Sequence, residues 1–247
     1  MKRFALIGNP LSHSFSKSYF LSKFEREGIQ DVSYENIEIT SEEELNNLLS
    51  KHFFDGFNVT IPWKENVLKF VSEISPECAA IQSANVLLKT YNGYKAFNTD
   101  YIGFQETLKP LLKPYHTSAL ILGNGGSTKA IAYVLNQLDI DFQIASREKS
   151  NGLIINYGDI RTIDVRNASV IINTTPLGMS PDVSSFPAIP YEGIDKFHLA
   201  YDLIYNPAET HFLKKAAQQG ALIKNGYDML IRQAEESWEI WTSFNNN

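Results

Sequence analysis

Short apolar, β-branched runs alternate with amphipathic stretches from the start of the chain. "RFALIG" is followed by the helical pattern "SKSYFLSKFEREG", then by "VSYENIEI", "SEEELNNLLSKHF" and "GFNVTIP". This alternation predicts an α/β fold, because parallel strands need crossovers long enough to hold a helix. The runs "NVLLK" and "YKAFN" flank Tyr91-Asn92-Gly93. The Asn-Gly pair tolerates positive φ and predicts a hairpin, so the first sheet is expected to be mostly parallel but mixed. After "TDYIGFQETLKPLL", a helix closed by prolines, the pattern restarts with "SALILG", "GGSTKAIAYVLNQL", "DFQIAS", "ASVIINTT" and "HLAYDLI". A second, more regular β/α series of nucleotide-binding type is therefore expected from about residue 102. The closing "GYDMLIRQAEESWEIWTSF" carries Leu230, Ile231, Ala234, Trp238 and Trp241 at helical spacing.

Composition narrows the partners more than the fold. The 247 residues suffice for one large domain or two modest ones. A formal charge of -6 without a clustered Lys/Arg run argues against nucleic acid and anionic membrane, which require a basic face, and favours a small-molecule partner. Cys78 is the only cysteine, which excludes an internal disulfide and a cysteine-rich zinc site. His13, His52, His116, His198 and His211 lack the close spacings that build a metal site on one helix face, so no metal is expected. The basic start "MKRFALIGNP" breaks at Gly-Asn-Pro and reads as strand and turn, not as a signal peptide. No apolar stretch approaches the roughly 18 residues of a membrane span. A cytoplasmic protein, monomeric or homodimeric, is expected.

"ALILGNGGSTKAIAYVL" is a strand, a Gly-rich turn and a helix in that order. Gly123 and Gly125 meet the G-x-G-x-x-G/A fingerprint, Thr128 stands at its third position, and Gly126 adds another glycine at the helix start. Such a turn lets backbone approach a pyrophosphate while free N–H groups and the helix dipole face the anion. The competing reading is a structural βα turn. A site preferring NAD commonly has Asp or Glu at the end of the second strand, about 20 residues on. Here that position carries Ser146 and Arg147. A guanidinium pairs with a 2′-phosphate, which favours NADP(H). Glu148 follows directly, Asn151 offers no second cation, and Lys149 is the nearby reinforcement; alternatively Arg147 is a solvated loop charge.

Taken in order, "GNPLSHSFS", "NVTIPWKE", "ANVL", "FNTDYIGF", "GNGGSTKAI", "INTTPLGM", "DLIYNPAET" and "GYDMLIRQA" resemble the shikimate dehydrogenase family from Gly8 to the final helix. The resemblance implies a substrate-binding α/β domain over residues 1–101, an NADP-binding Rossmann-type domain over 102–225, and a C-terminal helix, 226–247, returning to the substrate domain. It implies reduction of 3-dehydroshikimate to shikimate with NADPH. Carried over by residue, Ser14 and Ser16 would bind the substrate carboxylate, and Thr60, Lys64, Asn85 and Asp100 would surround its hydroxyls, with Tyr205 and Gln233 completing the pocket. Thr174, Pro176, Leu177, Gly226 and Met229 would line the nicotinamide side. The chain departs from the family pattern at Lys17, where proline is usual, at "SANV" and at "GYDML".

Ketone reduction needs a hydride from the cofactor and a proton from the protein. The ammonium of Lys64, set after an apolar strand and Pro62-Trp63, has the right character to stabilise a forming alkoxide and donate that proton. Asp100 is the expected catalytic partner, its alternative role being a helix N-cap. Which of the pair donates stays open, because coupled groups titrate together. The "HSFS" serines read alternatively as N-caps, and His13 as a structural hydrogen-bonder. Asn58 and Asn85 read as pocket amides or turn residues, Tyr205 as a turn-packing residue and Gln233 as a helix-surface residue. Competing functions are a quinate/shikimate dehydrogenase using NAD(P), a non-catalytic NADP-binding sensor, and a pterin-reducing relative that would not need the serines.

Overall fold

The computed structural model describes residues 1–11, 14–147 and 152–243. The chain divides into two units, Met1–Thr99 with Gln233–Asn247, and Asp100–Arg232. Each is built on its own six-stranded sheet.

The first unit contains β1 (Lys2–Gly8), α1 (Phe15–Glu27), β2 (Val32–Glu38), α2 (Glu42–Ser50), β3 (Gly56–Val59), α3 (Trp63–Asn66), β4 (Glu73–Ile74), α4 (Pro76–Ile81), β5 (Val86–Thr90) and β6 (Gly93–Phe97). Its sheet runs β2-β1-β3-β5-β6-β4. Strands β1, β2 and β3 are mutually parallel, while β5 pairs antiparallel with both β3 and β6. The expected hairpin closes at Thr90 opposite Gly93, whose φ of 138° suits glycine.

Both faces of this sheet are covered, so its central strands read as continuous apolar runs. Side chains alternate across the pleat: Ala5 and Ile7 join a core with Leu45, Leu49, Phe57 and Trp63, while Phe4 and Leu6 join one with Phe20, Phe24, Val86 and Trp241. Local chemistry sets the helix starts. Ser41 caps α2 by accepting from the Glu44 N–H at 3.2 Å, and Ser75 caps α4 by accepting from the Cys78 N–H at 3.2 Å.

The second unit contains α5 (Asp100–Leu108), β7 (Ser118–Leu122), α6 (Gly126–Gln137), β8 (Asp141–Ser146), β9 (Ile154–Asn156), α7 (Thr162–Asn167), β10 (Val170–Asn173), β11 (Leu199–Asp202), α8 (His211–Gln218), β12 (Leu222–Lys224) and the start of α9 (Tyr227–Ser243). All strands are parallel, in the order β12-β11-β10-β7-β8-β9. Alternation again sorts the side chains. Ile121, Val170 and Ile172 meet Phe104, Ile131 and Leu135, while Leu120, Leu122 and Ile171 meet Val165, Phe212 and Leu213.

The sequence placed the divisions at 101–102 and 225–226; the units divide at Thr99–Asp100 and at Arg232–Gln233, inside α9. The physical reason is packing. Phe104 and Leu108 of α5 belong to the second core, as does Met229 early in α9, whereas Ala234 and Trp241 later in α9 belong to the first. Helical periodicity marks which residues are apolar, not which core receives them. No helix among the described residues is long and apolar enough to cross a membrane.

Trp241 anchors the later part of α9. Its ring is fully buried and stacked on Phe4 at 4.5 Å, and its indole N–H donates to the Leu87 carbonyl at 3.0 Å. A Cβ at Gly56 would lie 2.3 Å from the Trp241 Nε1, so glycine in β3 leaves room for the ring. Beside it, the buried Lys23 ammonium donates to Glu235 at 2.7 Å and to Glu27 at 3.0 Å. Trp241→Ala is expected to cost about 3–5 kcal/mol of stability through lost burial and the cavity left behind. Urea unfolding monitored by circular dichroism measures it, and a cost below ~1 kcal/mol would contradict this anchoring role.

Candidate active site

Strand β3 delivers the segment that carries Thr60 and Lys64. Beyond Val59, the Thr60 N–H donates to Ile7 O at 2.9 Å and the Trp63 N–H to Thr60 O at 2.9 Å, closing a tight turn. The Trp63 indole donates to Ile39 O at 2.9 Å and fixes the start of α3. Lys64 is half-buried in that short helix, and its carbonyl accepts from the Ala84 N–H at 2.7 Å, next to Asn85. A Cβ at Gly8 would meet the Thr60 methyl at 2.3 Å, so the glycine sets how closely β1 approaches this turn.

Asn85 is the hub of a buried polar network in the same unit. Its Oδ1 accepts from the Thr99 N–H at 2.7 Å, and its Nδ2 donates to Thr99 Oγ1 at 2.9 Å and to Gln233 Oε1 at 3.2 Å. Thr99 Oγ1 in turn donates to Gln233 O at 2.9 Å. Asn58 extends the network: its Oδ1 accepts from the Tyr34 hydroxyl at 2.7 Å and its Nδ2 donates to Ser237 Oγ at 3.1 Å. Gln233 is thus buried and bonded inward, which overturns its reading as a helix-surface residue. The periodicity did not register it because a polar residue on an apolar face looks like an outward position.

Ser14 precedes α1 in extended backbone but makes no side-chain cap. Its hydroxyl is buried without a hydrogen-bond partner among the described residues, so Ser14 holds the N-cap position without making the side-chain capping bond. Ser16, in the first turn, hydrogen-bonds the Tyr34 phenol; burial holds that phenol well above its ordinary range, and the Ser16 contact opposes the shift. His13 lies outside the described residues.

In the second unit Asp100 is the first residue of α5, buried and within the helix, which departs from the N-cap alternative. It follows directly on Thr99, whose N–H is held by Asn85. Tyr205 is half-buried after β11, and burial raises its hydroxyl pKa.

The Gly-rich turn sits at the carboxyl end of β7, where the strand order reverses between β8 and β10. Gly123 has a φ of 118°, and a Cβ there would lie 2.5 Å from Thr174 Oγ1. Nothing among the described residues lies within 4 Å of a Cβ built on Gly125, the residue before α6. Thr128, at the third fingerprint position, accepts from the Gly125 N–H at 3.2 Å, donates toward Gly123 O at 3.1 Å and lies 2.8 Å from the Thr174 hydroxyl. A side chain therefore does the tethering for which the fingerprint uses close packing.

Ser146 is buried at the end of β8, and Arg147 follows it exposed, its carbonyl accepting from Asn156 Nδ2 at 3.1 Å. Glu148, Lys149 and Asn151 lie outside the described residues. Pro176 is exposed and Leu177 half-buried beyond β10. Gly226 is required sterically, since a Cβ there would lie 2.0 Å from Leu203 O. Met229 is buried in the core with Phe104 and Ile131. No group of three or more His, Cys, Asp or Glu able to hold a metal occurs among the described residues.

Sequence reasoning passed over Thr99, Ser237, Asn173, Thr175, Asp202 and Thr210, all of which bond through their side chains at or just beyond strand ends, at the start of α8 or in α9. A fully apolar strand that ends in Asn or Asp, as "VIIN" and "LAYD" do, was the available signal.

The family model for the shikimate dehydrogenase substrate binding domain matches residues 6–87. A shikimate dehydrogenase (NADP(+)) of Methanococcus maripaludis is 40% identical over 259 residues, covering 98% of this chain and 91% of its own. One of Caldicellulosiruptor saccharolyticus is 37% identical over 264 residues, covering 98% and 92%. The crystal structure of shikimate 5-dehydrogenase from Thermus thermophilus, in complex with NADP(H) and shikimate, matches with a TM-score of 0.87 at 31% identity, over 98% of this chain and 94% of that one. The mixed and the all-parallel sheet correspond to the two domains of such enzymes. With identity at this level running through nearly the whole length of both partners, the chain belongs to the shikimate dehydrogenase family.

Proposed function

We propose that this protein catalyses the reversible reduction of 3-dehydroshikimate to shikimate with NADPH, a step toward aromatic amino acids. The observation that carries the reading is the Asn85 network, which ties the backbone before Asp100 to the segment whose Ala84 is bonded to Lys64 O. Lys64 and Asp100 are the groups the chemistry needs.

The cofactor fits the residues present. The open space beside Gly125, just before α6, leaves room for a pyrophosphate, where the helix dipole favours an anion. Arg147, at a strand end with no carboxylate at its tip, is suited to a 2′-phosphate and supports NADP(H). When bound, the nicotinamide supplies a hydride to the carbonyl carbon.

The chain's own groups act on the rest of the substrate. The Lys64 ammonium stabilises negative charge on the ketone oxygen as the carbonyl bond breaks, and the Lys64–Asp100 pair delivers the proton that makes the new hydroxyl. Asn85, Thr60, Gln233 and Tyr205 are assigned to the ring hydroxyls, and Ser14 and Ser16 to the carboxylate. The Ser14 assignment has an energetic argument: a buried hydroxyl without a partner costs about 1–3 kcal/mol, which an accepting carboxylate oxygen recovers. Thr174, Pro176, Leu177, Gly226 and Met229 are assigned to the nicotinamide side, and Gly123, Gly125, Gly126 and Ser146 to the rest of the cofactor.

Oxidation of shikimate and of quinate, each with NADP+ and NAD+ and followed by nicotinamide absorbance, tests the function. Shikimate with NADP+ is expected to be the fastest pair; faster quinate turnover would transfer the assignment to a quinate dehydrogenase, and inactivity in all four would favour a sensor. Lys64→Ala is expected to lower kcat by about 10²–10⁴-fold with NADPH binding nearly unchanged, and near-native turnover in the purified variant would remove Lys64 from catalysis. Arg147→Ala is expected to weaken NADPH binding on the order of tenfold or more with little change for NADH, the loss typical of a hydrogen bond to a charged group. Steady-state kinetics with both cofactors measures it, and an unaltered preference would place the 2′-phosphate elsewhere.

A further inference from the structure

Asp202 and Asn173 face each other in register at the carboxyl ends of β11 and β10, and neither side chain reaches solvent. Asp202 Oδ1 accepts from Asn173 Nδ2 at 3.0 Å and from the Ile204 N–H at 3.1 Å, while its Oδ2 accepts from the Thr210 hydroxyl at 2.6 Å. Thr210 also caps α8, accepting from the Leu213 N–H at 3.3 Å. The amide of Asn173 continues the chain. Its Oδ1 accepts from the Thr175 N–H at 3.0 Å and from the Thr175 hydroxyl at 2.6 Å, and that hydroxyl accepts from the Leu177 N–H at 3.2 Å.

A buried carboxylate is a costly way to fill space. Burial pushes the Asp202 carboxyl up to about 6 despite its three donors, so the ionised form is only partly compensated. A leucine would pack a strand end without that penalty. What the carboxylate supplies instead is direction, because its bonds join the last residue of β10, the backbone just beyond β11 and the cap of α8. One branch reaches residues 174–177 and the other the Ile204 backbone beside Tyr205.

We propose that Asp202 is a positioning residue that sets, through Asn173 and Thr175, the backbone of residues 174–177 and with it the nicotinamide end of the cofactor site. This rests on the reading that Thr174, Pro176 and Leu177 line that end. Among the described residues, the adenosine end, assigned to Arg147 after β8, takes no bond from this chain of side chains.

The test compares NADP+ with adenosine 2′,5′-bisphosphate, which lacks the nicotinamide. Thr175→Val keeps the side-chain shape and removes two of the bonds, so it is the variant least prone to unfold; Asp202→Ala and the isosteric Asp202→Asn complete the set. Thr175→Val and Asp202→Ala are expected to lower kcat at saturating cofactor on the order of tenfold to a hundredfold and to weaken NADP+, with affinity for the bisphosphate unchanged. Asp202→Asn retains an acceptor and a polar partner for Thr210 and is expected to recover most of the loss. The proposal is overturned if Thr175→Val leaves both kcat and NADP+ affinity within about twofold of the unsubstituted protein. It is also overturned if bisphosphate affinity falls in parallel, which a general loosening of the unit would produce. If the unsubstituted protein binds neither compound, the cofactor reading itself falls, and this proposal with it.

Discussion

Asn85 uses both the oxygen and the nitrogen of one amide to hold the end of β6 and the helix α9 together. Its carbonyl takes the Thr99 N–H, and its amino group reaches both the Thr99 hydroxyl and the Gln233 side chain. All of these groups are buried, so an apolar residue at 85 would strand several donors and acceptors at about 1–3 kcal/mol each. The requirement extends beyond stability. Thr99 is the residue before Asp100, and the N–H of Ala84, the residue before Asn85, is bonded to Lys64 O.

Against this bonded interior, the Ser14 hydroxyl, buried without a partner among the described residues, is informative. Tyr34, Asn58, Asn85, Thr99 and Ser237 all find partners within the unit. Ser83 and Thr90 also carry unpartnered hydroxyls, but only Ser14 stands at the start of a thirteen-residue helix, where N–H groups already favour an anion. The distinction comes from position, not from burial alone.

The broad architecture was legible because it is written in periodicity. The short apolar runs of β1 and β10, the Asn-Gly turn at β5–β6 and the glycines ahead of α6 each depend on a few adjacent residues. Strands β4, β9 and β12 escaped notice, being two or three residues long and stabilised by neighbours distant in sequence. The candidate site was read from its motifs, while its supports were not read at all. Asn173, Thr175 and Asp202 read locally as ordinary turn-forming residues, and only the pairing of β10 with β11 gives them to one another. Likewise Gly226 looks like any residue before a helix until Leu203 O is found where its Cβ would be.

The run Asn173-Thr174-Thr175 shows how one short stretch can serve the whole carboxyl edge of a parallel sheet. Asn173 bonds to β11 through Asp202, and Thr174 bonds to β7 through Leu122 O and to the Gly-rich turn through Thr128. Thr175 then folds the chain back on Asn173 and Leu177. Order reverses at this point in the sheet, so the connections from β7 and β8 and those from β10 leave toward opposite faces and a crevice opens at the strand ends. Such a crevice needs an unyielding floor. Three successive polar side chains supply it, each bonded in a different direction.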